Sequence, residues 1–355
     1  SIEKEQDIMP AKTVRVGIVG MGIGKPNARA IARHAQGQVA ALCDLDEGRM
    51  AEFAAELPDE VKFYTDYKAM CRDPELDAIF VGTPNQWHVP IALEAVRRDK
   101  HVMVTKPLAD AEKPARRLVD AAERSGVVNM MSLSTRFSPG CQYLRQQQQQ
   151  GFFGELYYAR ARSVRRNGIP AWNLGFIQEG GGAFRDMGVH VLDAAWSLLD
   201  FPRPVSVTGV AGARFGPLGK GYSHPVTRKT YRQFKADDYA GGFIRFEGGI
   251  GLQVESFWAS HQPDEMQSEL FGTEAGASYN PLKLYRTVDG GEQDTAVNLR
   301  RQPEAWDNIA GHFIDCIANG VPCTAPLKHG LQIQVMMEAL LKSAGTGREV
   351  RVKGG

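Results

Sequence analysis

Val14-Arg-Val-Gly-Ile-Val-Gly-Met-Gly-Ile-Gly24, then Lys25-Pro-Asn-Ala-Arg-Ala-Ile-Ala-Arg-His34 and, after a short polar break, Val39-Ala-Ala-Leu-Cys-Asp44, decides how the rest of this chain is read. An apolar, β-branched run ends in glycines, a helical pattern follows, and a second apolar run ends in an aspartate: a βαβ unit. Such a unit cradles a dinucleotide. Gly20 permits the tight turn off the strand, Gly22 lets the backbone approach a pyrophosphate, and Ile23 and Gly24 complete the turn. Pro26 near the helix start leaves N–H groups directed at that anion. Asp44 then takes the ribose. The spacing departs from G-x-G-x-x-G, because the third glycine comes a residue early and Lys25 stands in its place, within reach of the phosphates. Asp44 precedes Leu45, with no adjacent Arg or Ser for a 2′-phosphate and Arg49 only a distant alternative. This favours NAD, with NADP as the other option.

At 355 residues the chain exceeds what one core usually serves, so two domains are expected. Repeated strand and helix along residues 14–131 predicts a doubly wound parallel sheet, with a boundary giving a Rossmann domain at 12–135. From Arg136 the texture changes. Extended patterns at 152–166, 205–210, 239–246, 249–258 and 268–271, with a helical pattern at 183–199, predict an α+β domain over 136–355. It would be built on a large open mixed or antiparallel sheet. Helical stretches within 303–345 are expected to pack back on the first domain. The glutamine run at 146–150 reads as a solvated helix end, and 214–235 as a long loop of the kind that often carries function.

The formal charge is +1, from 42 basic and 41 acidic residues, which argues against a polyanionic partner; no nucleic-acid signature accompanies it. Five cysteines show no C-x-x-C and no histidine at metal-ligand spacing, so reduced cytoplasmic thiols and no metal are expected. Residues 1–10 read as neither a secretory nor a transit signal, and no apolar run approaches a membrane span.

In a doubly wound sheet ligands sit beyond the carboxyl ends of the strands. Thr83-Pro84-Asn85 with His88, and Thr105-Lys106-Pro107, fall at such ends and are assigned to the cofactor side. Lys106 there can stabilise an alkoxide, although a solvated loop lysine has the same sequence appearance. In the second half, Asp186 and His190 stand four apart on a helical pattern that begins at Gly180-Gly181-Gly182; Asp193 and Ser197 continue their stripe. A carboxylate beside an imidazole stabilises the protonated ring and tunes a general base. The glycines would let a ligand approach. A surface Asp-His pair is the alternative.

These motifs together, with Arg136-Phe137 opening the second domain, resemble the glucose-fructose oxidoreductase / inositol 2-dehydrogenase (Gfo/Idh/MocA) family over about 14–352. The resemblance implies an NAD(P)-dependent dehydrogenase of sugars, cyclitols or glycosides. Lys106 would lie near the nicotinamide and the reacting hydroxyl, with Asp186 and His190 holding the substrate and His190 as acid/base. Thr105 departs from the usual glutamate before the lysine, and Asn27 from a frequent histidine. Arg136, Arg162 and Trp172, among the basic and aromatic residues at 160–172, are expected to add substrate contacts, though many of those arginines would instead solvate a sheet face. A homodimer or homotetramer would cover the open sheet. Two other readings stay open: an NAD-dependent glycosidase or lyase using transient oxidation, and a non-catalytic dinucleotide-sensing regulator.

Overall fold

The computed structural model describes residues 12–352, so the segment 1–10 lies outside the described residues. Two compact units divide the chain. The first takes residues up to 105, 116–132 and 306–327; the second takes 106–115, 133–305 and 328 onward.

In the first unit, strands β1 (Val14–Val19), β2 (Gly37–Cys43), β3 (Lys62–Tyr64), β4 (Ala78–Val81), β5 (His101–Thr105) and β6 (Asn129–Ser132) form one parallel sheet in the order β3-β2-β1-β4-β5-β6. Between them run α1 (Gly24–Arg33), α2 (Glu47–Ala54), α3 (Tyr67–Cys71), α4 (His88–Val96) and α5 (Glu112–Ser125). Strand order reverses between β1 and β4, the switch point where such sheets bind ligands. Local chemistry agrees with the boundaries. Asp46 caps α2 through Arg49 N–H, and Asp66 caps α3 through Lys68 N–H. Strands β1 and β4 are apolar and almost wholly buried, as expected of strands covered on both faces.

The second unit contains α6 (Pro139–Gln149), β7 (Leu156–Val164), α7 (Val189–Leu198), β8 (Pro204–Gly212), α8 (Arg228–Tyr231), β9 (Tyr239–Phe246), β10 (Gly251–Phe257), β11 (Glu265–Gly272), β12 (Gly276–Ser278), β13 (Lys283–Val288) and β14 (Gly291–Ala296). After α9 (Ala305–Ala318), which belongs to the first unit, the chain returns to the second through α10 (Leu327–Thr346) and β15 (Val350–Arg351). The nine strands run β14-β13-β12-β11-β7-β10-β9-β8-β15, with β7 and β10 parallel and the other pairs antiparallel. Helix α7 packs on β7, β10 and β11, against small buried residues such as Ala159 and Ala161. The alternate positions, Tyr158, Arg160 and Arg162, point to the opposite face. Strands β12 to β14 were not legible because their sequences are short and polar.

The region 214–235 is not a bare loop. It holds α8 and folds back on the buried carboxylate of Asp238, which accepts from the N–H groups of Arg214, Phe215 and Gly216 at 2.7–3.0 Å. A small core of Ile169, Ile177, Ala183, Phe234, Trp258 and Ala259 lies beneath it.

Candidate functional site

Lys106 and Asp186 meet within the second unit. Lys106 Nζ donates to Asp186 Oδ1 at 2.9 Å and to the Asp186 carbonyl at 2.8 Å. The indole N–H of buried Trp258 donates to the other carboxylate oxygen at 3.0 Å. Burial by itself would raise the carboxyl pKa; the Lys106 charge and hydrogen bond, and the Trp258 bond, outweigh it and hold Asp186 below the usual carboxylate range. Asp186 is therefore a fixed anion that aims Lys106. Two of the three ammonium protons are taken up, leaving one for a ligand oxygen.

His190 differs from the sequence expectation. Its pKa is pushed down to about 3, by burial first and by the Lys106 charge second, and the opposing pull of Asp186 is smaller. The ring is thus neutral at ordinary pH rather than held protonated. Its Nδ1 is buried without a hydrogen-bond partner. Residues Phe184–Gly188 form a π-helical turn before α7, and burial of the ring together with the Lys106 charge outweighs the pull of the Asp186 carboxylate. Asp186 turns to Lys106 and Trp258. Asp193 and Ser197 do not extend the site, being buried on α7.

The turn is built by the chain itself. Gly182 has φ +115°, and a Cβ there would stand 2.1 Å from Asp237 Oδ1. Asp237 accepts from Phe184 N–H at 3.0 Å through its side chain and from Ala183 N–H at 2.9 Å through its carbonyl. A Cβ on Gly181 would strike the Phe176 carbonyl at 2.0 Å. The expectation that these glycines admit a ligand is corrected for Gly181 and Gly182, whose space is filled by Phe176 and Asp237.

Three proposed substrate residues separate. Arg136 is 5 % exposed, its guanidinium bonded to Asp193 and 3.1 Å from His329 Nδ1, so it braces the interior instead of meeting substrate. Arg162 is tied to Glu265 at 3.0 Å and Glu269 at 3.4 Å across β7 and β11, because strand alternation turns it to the face away from α7. Trp172 is 71 % exposed and rests edge-on against Phe176. Arg165, which follows β7 by one residue, donates to Met187 Sδ at 3.2 Å and contributes to the depressed pKa of His190. Trp258 and Asp237 were missed, whereas Arg165 stood among the basic residues expected at 160–172. The one available signal was a tryptophan directly ending an alternating strand, since a buried indole N–H needs an acceptor.

In the first unit the switch point gathers the predicted dinucleotide residues. Gly20 has φ +94°, and a Cβ on it would lie 2.5 Å from the Gly82 carbonyl, so the ends of β1 and β4 touch here. A Cβ on Gly22 would meet nothing within 4 Å, while one on Gly24 would press on Ile18 Cγ2 at 2.9 Å. Gly24 thus serves helix-to-strand packing. Ile23 precedes α1 without capping it, which leaves the first amides of α1 without a side-chain cap. Asp44 accepts from Met21 N–H at 2.7 Å and Asp46 N–H at 3.2 Å, stitching the glycine turn to the end of β2. Its carboxylate retains lone pairs for a ribose.

Arg49 is closer than the sequence suggested: it donates to the Met21 carbonyl at 3.0 Å and lies 4.0 Å from Asp44. The Lys25 ammonium lies over the Phe53 ring, 5.5 Å from its centroid. Asn27 is buried and donates to the Ile23 carbonyl at 2.8 Å. Thr83 has a buried hydroxyl with no partner, and Pro84 and Asn85 begin the turn that follows. His88 is corrected: it is buried, with Nε2 2.7 Å from the Thr83 carbonyl, and supports the loop from behind. The open space at Gly22, the uncapped start of α1 and the orphaned Thr83 hydroxyl fit a dinucleotide.

Thr105 is buried at the end of β5. The carboxylate absent at that position does not leave Lys106 without an anion, because Asp186 supplies one. The expectation of no histidine near a cysteine at ligand spacing is also corrected: His312 and Cys316 are four apart on α9, with Cys323 returned beside them. Among the described residues no helix is long and apolar enough to cross a membrane.

Comparison with known proteins identifies the family and the fold. Residues 14–133 match the model of an oxidoreductase family with an NAD-binding Rossmann fold, and 141–278 match the GFO/IDH/MocA C-terminal domain. The chain is 30 % identical to D-glucoside 3-dehydrogenase of Escherichia coli K12, over 97 % of this chain and 99 % of that one. It is 25 % identical to scyllo-inositol 2-dehydrogenase (NAD+) of Bacillus subtilis, over 92 % and 93 %. In fold it resembles a levoglucosan dehydrogenase solved with NADH and levoglucosan, with a TM-score of 0.84 at 22 % identity, over 97 % of this chain and all of that one. With both halves matched in order and a relative aligned end to end, the chain belongs to the Gfo/Idh/MocA family of NAD-binding oxidoreductases.

Proposed function

We propose that this protein oxidises a secondary hydroxyl on the ring of a sugar, cyclitol or glycoside. Bound NAD supplies the hydride acceptor. Gly20, Gly22, Ile23, Gly24, Asp44, Thr83, Pro84 and Asn85 hold it. His190, uncharged over the working pH range, takes the hydroxyl proton, and the remaining Lys106 proton stabilises the oxygen as charge develops on it. Asp186 is a positioning residue for Lys106, itself oriented by Trp258. Relatives named for a glucoside and an inositol support a cyclic polyol as substrate. Trp172, exposed beside Phe176, offers an apolar face to a sugar ring.

The observation that carries this reading is the pairing of an anchored ammonium with a neutral imidazole whose Nδ1 has no partner. The test is a screen of glycosides, aldoses and cyclitols with NAD, following the near-ultraviolet absorbance of reduced nicotinamide. Net NADH formation is expected. Product release without it would point to transient oxidation and bond cleavage, and tight dinucleotide binding with no turnover to a regulator. The chain works as a cytoplasmic homo-oligomer in this reading, joined through the sheet face bearing Tyr158, Arg160 and Arg162.

A further inference from the structure

Helix α9 and the segment after it gather three ligating side chains that the proposed reaction does not use. His312 and Cys316 lie one turn apart on α9 and share a face. The chain then reverses before α10 and returns Cys323 to the same place. His312 Nε2, Cys316 Sγ and Cys323 Sγ all lie within 4.8 Å of one another, with Nε2 3.6 Å from Cys316 Sγ.

The 3.6 Å separation is what a tetrahedral ion needs, and the 4.8 Å bound on the others lets a small side-chain adjustment complete the set. With metal–sulfur bonds of about 2.3 Å and metal–nitrogen bonds of about 2.0 Å, donor atoms around zinc stand roughly 3.5–3.8 Å apart. The imidazole is in the ligating form. Thr324 N–H donates to His312 Nε2 at 2.9 Å, and a backbone amide is always a donor, so Nε2 carries a lone pair and no proton. The Thr324 hydroxyl is 3.0 Å from the same nitrogen, and Cys316 also faces it. One lone pair confronted by three groups cannot serve them all well, and an ion would take it outright.

We propose that His312, Cys316 and Cys323 bind a thiophilic divalent cation of the zinc class. Two thiolates and a neutral imidazole match such an ion in softness and offset its charge, whereas magnesium or calcium would need oxygen donors. Binding releases the two thiol protons to solvent and displaces the Thr324 amide from Nε2. Cys316 is buried while Cys323 is partly exposed and Thr324 is exposed, so the fourth position opens toward solvent and takes water. Cys323 Sγ also lies 3.6 Å from the carbonyl of Asn129, the first residue of β6. The ion would therefore clamp the chain reversal after α9 against the edge of the parallel sheet, a structural role separate from hydride transfer.

The test uses the full chain, reduced with a phosphine, stripped with a chelator and titrated with Co2+. We expect about one Co2+ per chain, with tetrahedral d–d bands and sulfur-to-cobalt charge transfer, displaced by Zn2+. Cys323→Ser and His312→Gln should each weaken binding by about tenfold or more and reduce or shift these bands. Cys316 is buried, so Cys316→Ser can fail to fold; Cys323→Ser, on the more exposed segment, keeps the test intact. Zn2+ should raise the melting temperature of the wild type and not of Cys323→Ser. Binding that is octahedral, or unchanged in Cys323→Ser, overturns the proposal. So does reduced protein that takes up no Co2+ while untreated protein carries a Cys316–Cys323 disulfide, which would make the pair a redox couple.

Discussion

Lys106 reaches Asp186 twice, through the carboxylate at 2.9 Å and the main-chain carbonyl at 2.8 Å, so the lysine is held to the backbone of the π-helical turn as well as to a side chain. A lysine bound only to a carboxylate would follow that side chain through its rotamers. Here its reach is set by main-chain geometry.

The roles of Asp186 and Trp258 separate by size of effect. Asp186→Asn removes the fixed charge and should lower kcat/KM by about 10²-fold, mainly in kcat. Trp258→Phe keeps the ring but deletes the bond to Asp186 Oδ2, and should cost about tenfold, ~1.4 kcal/mol. Lys106→Ala and His190→Ala should each lose at least about 10²-fold. Steady-state kinetics on a proven substrate checks the series; an unchanged kcat in Trp258→Phe would mean that Asp186 needs no indole to orient it.

Acid sensitivity follows from His190. Its folded pKa of about 3 lies below the ordinary 6.5, so between those values the unfolded chain binds more protons than the native one. The stabilising contribution is complete above 6.5 and is lost as pH falls toward 3. Asp186, also lowered, acts in the same direction below the ordinary carboxylate value. Urea midpoints across this range should drop, and His190→Gln should flatten the slope. Parallel curves for the two proteins would assign the acid loss to other groups. The acid limb of kcat/KM should correspondingly lie well below 6.5.

In the proposed reading cofactor choice rests on Asp44, which has Arg49 4.0 Å away. Asp44→Ser removes the charge that repels a 2′-phosphate and leaves the guanidinium to receive it. The ratio of NADP to NAD dissociation constants should shift by about tenfold or more toward NADP, ~1.4 kcal/mol per decade. Adding Arg49→Ala should erase the gain. Fluorescence titration reads both, and a ratio that stays fixed in Asp44→Ser would remove Asp44 from the discrimination.

Two neighbouring glycines should fail differently. Gly20→Ala forces a Cβ to 2.5 Å from the Gly82 carbonyl at φ +94°, and should cost about 2 kcal/mol of stability as well as dinucleotide binding. Gly22→Ala meets no protein atom, so stability should stay level while affinity falls. Thermal melts with and without NAD tell them apart. Unaltered affinity in Gly22→Ala would place the pyrophosphate elsewhere.

The face of the nine-stranded sheet opposite α7 carries Tyr158, Phe243 and Phe271 beside Arg160–Glu269 and Arg162–Glu265 pairs. Light scattering at micromolar concentration should report a dimer or tetramer, and Tyr158→Asp should shift it toward monomer. A monomeric wild type would leave that face for another role.

The first unit was legible in its sequence because its signals are local. Glycines at Gly20 and Gly24, a buried β-branched run and an acid at Asp44 act over neighbouring residues, and parallel order follows once strand and helix alternate. The pairing of Lys106 with Asp186 could be guessed only as two motifs; that the carboxylate serves the lysine, and that burial and the Lys106 charge leave the imidazole neutral, depended on packing that has no sequence pattern of its own. Arg136 and Arg162 were misassigned for the same reason, since an arginine's partner is set by which strand or helix lies opposite it. Trp258, Asp237 and Cys323 lie tens of residues from some of the groups they touch or close to groups that only a chain reversal brings near. Periodicity and turn chemistry are encoded within a few residues, and so the sequence alone determined the elements of the parallel sheet, the glycine turn and the family. Which polar groups face each other, and hence which are charged, depends on distant backbone placement, and only the tertiary structure decided that.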